Sequence, residues 1–113
     1  MIQGVGIDIE SVSRFRKECK NKRFLELIFT NREIAYCQLK KEPFRSFAGK
    51  FCAKEAVMKA TSERLAMKDI EIRNLSTGKI QVAIHGKAKK GLHCSVSHEE
   101  RYATACAILE WGN

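Results

Sequence analysis

The longest helical pattern in this chain runs from about Ser46 to Leu65, just after its single proline, Pro43, and it constrains the fold more than any other feature. In 113 residues there is room for one hydrophobic core, so residues 1–113 are expected to form one domain around that helix. At about 100° per residue, Phe47, Phe51 and Met58 share a stripe with Ala48 and Cys52 beside it,. Glu55 falls inside this apolar arc, and Lys59 follows one turn later. A carboxylate there is costly unless it is paired, hydrogen-bonded or metal-bound. Two readings stay open: an i,i+4 salt bridge from Glu55 to Lys59, or a ligand role for Glu55.

The segment before the helix begins with VGIDI, in which Val5, Ile7 and Ile9 alternate with Gly4, Gly6, Asp8 and Glu10. That period predicts a strand that buries its aliphatic face and leaves two carboxylates beside the space two glycines free. Ser11 or Ser13 can cap a basic helix beginning near Arg14. Thr30 and Glu33 match a capping box, which predicts that one short helix stops and another starts there. Beyond Lys68 the period returns to two. Ile70 and Ile72, then Ile80, Val82 and Ile84, flank the turn NLSTGK as a hairpin; HGKAKKG reads as a loop,. LHCSVSH and YATACAIL read as two more strands joined by a tight turn at Glu99–Arg101. The fold class is therefore α+β: an N-terminal strand, a helical middle with one long helix, and C-terminal antiparallel strands.

Asp8 on a strand and Glu55 on a helix together offer hard oxygen ligands of the kind Mg²⁺ takes, with water and substrate phosphates filling its octahedron. Taken alone, Asp8 also reads as an ordinary turn or edge residue. The 21 Lys+Arg against 13 Asp+Glu give a net charge of +8, which favours nucleic acid, a phosphorylated cofactor or an acidic protein as partner without choosing among them. Five scattered cysteines without a CxxC pair suggest neither a disulfide framework nor a zinc site, and are read as reduced thiols,. The start MIQGVGIDIE lacks a positive segment before an apolar run, and no stretch approaches a membrane span, so a cytoplasmic protein is expected,.

VGIDI, RFLELIFTNREIAYC, SFAGKFCAKEAVMKA and CSVSHEERYATACAIL, in this order and spacing, resemble the holo-acyl-carrier-protein synthase family, the small bacterial 4′-phosphopantetheinyl transferases. The resemblance runs from Ile2 to Leu109. It implies the 4′-phosphopantetheinyl transferase-like fold and transfer of 4′-phosphopantetheine from coenzyme A to the serine of an acidic acyl carrier protein. Asp8 and Glu55 would hold Mg²⁺, and Lys59 would neutralise charge on the departing nucleotide, adenosine 3′,5′-bisphosphate. Lys50, where the family commonly has arginine, and His98 would meet the nucleotide end of coenzyme A. Glu10, on the same strand face as Asp8, is either a third metal ligand or a plain exposed glutamate. The helix carrying Arg14 and Lys17, with Arg23 after it, would dock the carrier.

The same likeness implies a homotrimer with active sites at subunit boundaries, and no nucleic-acid or membrane partner. After Ala60 the family usually has a glycine-rich turn; here TSERLAMKDIEI contains no glycine, leaving the Thr61 and Ser62 hydroxyls to contribute hydrogen bonds. That departure motivates one alternative, a catalytically impaired relative that still binds carrier proteins. The charge motivates another, a small basic nucleic-acid-binding domain, although the aromatics are not interleaved with the basic residues as stacking platforms.

Overall fold

A computed structural model describes residues 1–111. Strand β1 (Ile2–Ser11) leads through helices α1 (Val12–Glu18), α2 (Lys22–Ile28) and α3 (Asn31–Gln38) into the long α4 (Pro43–Thr61). A 3-10 turn (Met67–Asp69) precedes β2 (Ile70–Asn74), β3 (Ile80–Ile84) and the two-residue β4 (Lys87–Ala88), which lies within the segment expected to be loop. Strands β5 (Leu92–His98) and β6 (Tyr102–Glu110) complete the chain. Two antiparallel sheets result, ordered β1-β6-β5 and β2-β3-β4.

The helical middle follows its local signals. Thr30 caps α3: its hydroxyl accepts from the Glu33 N–H, while Glu33 Oε1 accepts from the Thr30 N–H at 2.9 Å, a full capping box. Pro43 opens α4 instead of preceding it, since a first-turn residue has no helical partner for its N–H,. The helix ends at Thr61, short of the expected Leu65, on Ser62 in the left-handed conformation at φ 56°. Phe15 packs on Phe51 with ring centroids 5.2 Å apart, and Phe29 on Phe47 at 5.0 Å, so the aromatic half of α4 gathers α1 and the α2–α3 junction into one core,.

Strand β1 corrects the expectation about its faces. Val5, Ile7 and Ile9 are 58%, 65% and 63% exposed, whereas Gly4, Gly6, Asp8 and Glu10 face α4. A Cβ on Gly4 would strike the Ala60 carbonyl oxygen, and one on Gly6 the Ala56 carbonyl oxygen. The glycines thus let a strand and a helix meet backbone to backbone, with Ala103, Ala105 and Ala107 of β6 continuing the small-residue floor,. Alternation fixed the period of β1 correctly, but the face that packs is the one without bulk.

Candidate active site

The close approach of β1 to α4 sets Asp8 against the helix. Asp8 Oδ1 lies 3.7 Å from the Lys59 ammonium, which also donates to the Ile7 carbonyl at 2.8 Å. Lys59 therefore reaches across to β1 and is not held in an i,i+4 bridge to Glu55. The second oxygen, Asp8 Oδ2, is buried without a hydrogen-bond partner. Native proteins rarely leave such an acceptor empty. Glu10 stands two residues along on the same face. Burial, then the adjoining Asp8 carboxylate, raise the Glu10 carboxyl above its ordinary value, and Arg14 only partly offsets them,. Cys52 closes the floor, its thiol donating to the Ala103 carbonyl at 3.2 Å; burial first, then the charges of Asp8 and Glu10, hold that thiol protonated.

Glu55 is half-buried on α4, one turn before Lys59 and one turn after Cys52, so it borders the same patch. The uncommitted Asp8 oxygen and the neighbouring carboxylates fit a hard divalent cation, and the ammonium beside them suits the phosphate oxygens such a cation carries,. Among the described residues no three His, Cys, Asp or Glu side chains converge into a metal cage.

Lys50 and His98 occupy a different place. They line a cavity of about 190 Å³ with Tyr36, Ser46, Gly49, Ile72, Asn74, Gly78, Ile80 and Val96. A Cβ on Gly49 would lie 2.9 Å from Val96 Cγ1 and 3.5 Å from His98 Cδ2, so glycine admits β5 to the helix. Lys50 is buried and its ammonium donates to the Ile72 carbonyl at 2.7 Å and to Asn74 Oδ1, above the Tyr36 ring. At about 100° per residue, Lys50 and Lys59 project from opposite flanks of α4. One chain therefore displays Asp8, Glu10, Glu55 and Lys59 on one flank and the Lys50–His98 cavity on another.

Sequence reasoning missed Lys54, the most buried charge in the core. Its ammonium donates to the carbonyls of Ile28 (2.9 Å), Met67 (2.9 Å) and Ile70 (2.7 Å) and pairs with Glu33 Oε1 at 2.7 Å. Glu33 Oε2 accepts from the Ile72 N–H at 2.7 Å. The available signal was a lysine between Ala53 and Val57 on the packed side of α4, overshadowed by Glu55 next to it.

Arg14, Lys17 and Arg23 are exposed on the α1–α2 surface with Lys20, Lys22 and the 71% exposed Leu27. Arg14 pairs with Glu10 at 3.0 Å and lies over the Phe51 ring at 5.0 Å. Ser62 is exposed at the end of α4, its N–H donating to the Met58 carbonyl at 3.0 Å. A serine there keeps the left-handed cap that glycine most readily supplies. All five cysteines are free; desolvation pushes Cys19 and Cys37 up to about 12 and Cys94 to about 11.

The family model for the 4′-phosphopantetheinyl transferase superfamily matches residues 4–107. A holo-[acyl-carrier-protein] synthase of Thermodesulfovibrio yellowstonii is 42% identical over 113 residues, covering 96% of this chain and 99% of the relative. Among solved structures, the Bacillus anthracis holo-(acyl-carrier-protein) synthase in complex with CoA (3′,5′-ADP) superposes with a TM-score of 0.86 at 32% identity, covering 99% of each chain. The Helicobacter pylori synthase in complex with coenzyme A does so at 0.79 and 27%, covering 94% of this chain and 99% of that one. Fold and family match thus define a 4′-phosphopantetheinyl transferase. Within that superfamily the chain belongs to the holo-[acyl-carrier-protein] synthase family, enzymes that transfer phosphopantetheine from coenzyme A to an acyl carrier protein.

Proposed function

We propose that this chain performs the transfer with Mg²⁺ held by Asp8 and Glu55, Glu10 reaching it through a bound water, and that the acceptor is the serine of an acidic apo-carrier in the cytoplasm. The observation that carries the reading is the buried, unpartnered Asp8 Oδ2 beside Glu10 and Lys59. Bound there, Mg²⁺ supplies positive charge to the diphosphate of coenzyme A. Lys59, fixed by the Ile7 carbonyl, supplies a second positive charge where negative charge develops on the leaving adenosine 3′,5′-bisphosphate. The serine oxygen forms its new bond to the β-phosphorus as the bond to the bridging oxygen breaks; the bond electrons leave with the bisphosphate and the hydroxyl proton passes to solvent. Positioning and charge neutralisation account for the rate, with no cysteine nucleophile.

The site is completed between copies of the chain in a homotrimer. Two features support this: the exposed aliphatic face of β1, and the placement of Lys50 and His98 on a different flank of α4 from Asp8. A neighbour that covers Val5, Ile7 and Ile9 can bring its His98 cavity, for the nucleotide end of coenzyme A, towards Asp8. The exposed basic α1–α2 surface, with Arg14, Lys17 and Arg23, then receives the carrier's acidic helix,. Ser62 lies near enough in sequence to Lys59 to border the phosphate side.

The test is the mass of an apo-carrier incubated with coenzyme A, Mg²⁺ and this protein. A gain equal to one phosphopantetheine group on the acceptor serine is expected, dependent on Mg²⁺. An unchanged carrier, under conditions where another transferase modifies it, would defeat the proposal. Sedimentation of the wild type should give a trimer, and Ile7→Asp should give monomers.

A further inference from the structure

Arg14 is positioned to serve two surfaces. Its Nη1 donates to Glu10 Oε1 at 3.0 Å, linking the start of α1 to β1, and its Nε lies 3.7 Å from Glu18 on the other side. The guanidinium carbon lies 5.0 Å from the centre of the Phe51 ring,. The Arg14 side chain is 42% exposed, while that of Glu10 is only 17% exposed and stands beside Asp8. One edge of the fork thus faces the carboxylate patch and the rest faces the surface where an acidic helix would dock.

Resting on the metal and carrier reading above, we propose that the Glu10–Arg14 ion pair couples the two events: occupancy of the carboxylate patch by Mg²⁺ releases Arg14 for the carrier, and carrier docking releases Glu10 for the metal. The argument is competition for one partner. Glu10 has Arg14 as its counter-charge, Oε1 to Nη1 at 3.0 Å. A divalent cation held by Asp8 and Glu55 would offer Glu10, through a bound water, a stronger one and would leave the Nη1 edge of Arg14 without its carboxylate. An acidic residue of the carrier then fills that edge, and forks favour carboxylates in this geometry. Run in the other order, a carrier carboxylate that takes the fork leaves Glu10 free to turn to the cation. Linkage requires the two effects to be equal in size. Because the pair is partly exposed, the expected coupling is modest, about two- to five-fold in affinity.

The experiment uses the whole protein and an acidic apo-carrier whose acceptor serine is replaced by alanine, so that no turnover intervenes. Calorimetry measures carrier affinity with saturating Mg²⁺ and with a potassium salt of equal ionic strength. Mg²⁺ should tighten wild-type binding about two- to five-fold, and the carrier should raise Mg²⁺ affinity, titrated by the same calorimetry, by the same factor. In Glu10→Gln, which keeps the shape and removes the charge, the Mg²⁺ effect should fall to within about 1.5-fold of unity by the same competition. Equal carrier affinity with and without Mg²⁺ in the wild type overturns the coupling, as does an unchanged Mg²⁺ effect in Glu10→Gln. If the unsubstituted carrier still gains its phosphopantetheine, only the coupling has failed. If no carrier binds or is modified, the carrier reading has failed and the coupling with it.

Discussion

Helix α4 carries two lysine–carboxylate pairs five residues apart, and they differ in nearly everything except their chemistry. Lys54 and Glu33 are 0% and 1% exposed and 2.7 Å apart, and every oxygen and proton of the pair has a partner in the backbone or in each other. Lys59 and Asp8 are 53% and 12% exposed and 3.7 Å apart, and one Asp8 oxygen has no partner at all. The first pair has spent its bonding capacity on tying α2, α3, α4 and β2 together. The second retains capacity, and a group with unspent capacity in a partly buried place is what ligand binding requires. Deep burial therefore marks the structural pair here, and incomplete satisfaction marks the pair proposed to serve the metal and the leaving group.

Removing one member from each pair should separate these roles. Asp8→Asn should lower phosphopantetheine transfer at least about 10³-fold, roughly 4 kcal/mol of transition-state stabilisation, while moving the urea midpoint little, because the amide replaces an oxygen that had no partner. Lys54→Met should do the reverse. It leaves the Glu33 carboxylate and three carbonyls buried without their cation, a loss of about 3–5 kcal/mol of stability, read from urea unfolding. The double variant Lys54→Met, Glu33→Gln should be more stable than Lys54→Met alone, since the uncompensated charge is gone. A large activity loss in Lys54→Met at temperatures where it is fully folded would break the comparison.

A smaller effect is expected at Lys59. Lys59→Met keeps the Asp8 ligand and removes one of two positive charges acting on the leaving group, so the transfer rate should fall about 10- to 100-fold, roughly 1.4–2.7 kcal/mol. Stability should change by less than about 0.5 kcal/mol, the usual range for an exposed side chain. Should Lys59→Met prove as destabilising as Lys54→Met, the two pairs would belong to one class.

The contrast also shows what could be read from the chain before folding. The capping box at Thr30 and Glu33, the break at Pro43, the 70–84 hairpin and the last two strands are local devices, so spacing was enough to find them. Glu55 stood out as a carboxylate inside an apolar arc with Lys59 one turn on, Asp8 as a carboxylate on a strand face beside two glycines, and the ordered motifs implied one chemistry for them. The depth of Lys54 was not legible, because its four partners come from Ile28, Glu33, Met67 and Ile70, which only the tertiary fold assembles. Which face of β1 packs was also beyond the period-two signal. That outcome depends on α4 presenting Ala56 and Ala60 to Gly6 and Gly4, a close approach that bulk on that face would prevent. The same limit applies to Lys50, whose burial against Ile72 and Asn74 depends on where β2 ends.

The smallest effect distinguishes the closed region by pH. Glu71 lies at the same junction as Glu33: its carboxylate accepts from the Thr30 hydroxyl at 2.7 Å and from Arg73 Nε at 2.6 Å, with Arg32 at 3.8 Å. Burial acts to raise its carboxyl, but those hydrogen bonds and the two arginine charges outweigh burial and hold it below the ordinary carboxylate value of 4.5,. A carboxyl lowered in the folded state binds its proton first in the unfolded chain. Its contribution is therefore complete above the ordinary value and is lost as pH falls through the lowered one. For a partly buried ion pair the loss is about 0.5–1 kcal/mol. Urea midpoints measured from pH 6 down to pH 3 should fall more steeply for the wild type than for Glu71→Gln, which is less stable at pH 6 and has no such proton to bind. Parallel curves would show that the Arg73–Glu71–Thr30 cluster adds nothing to the junction, leaving Lys54 and Glu33 to hold it alone.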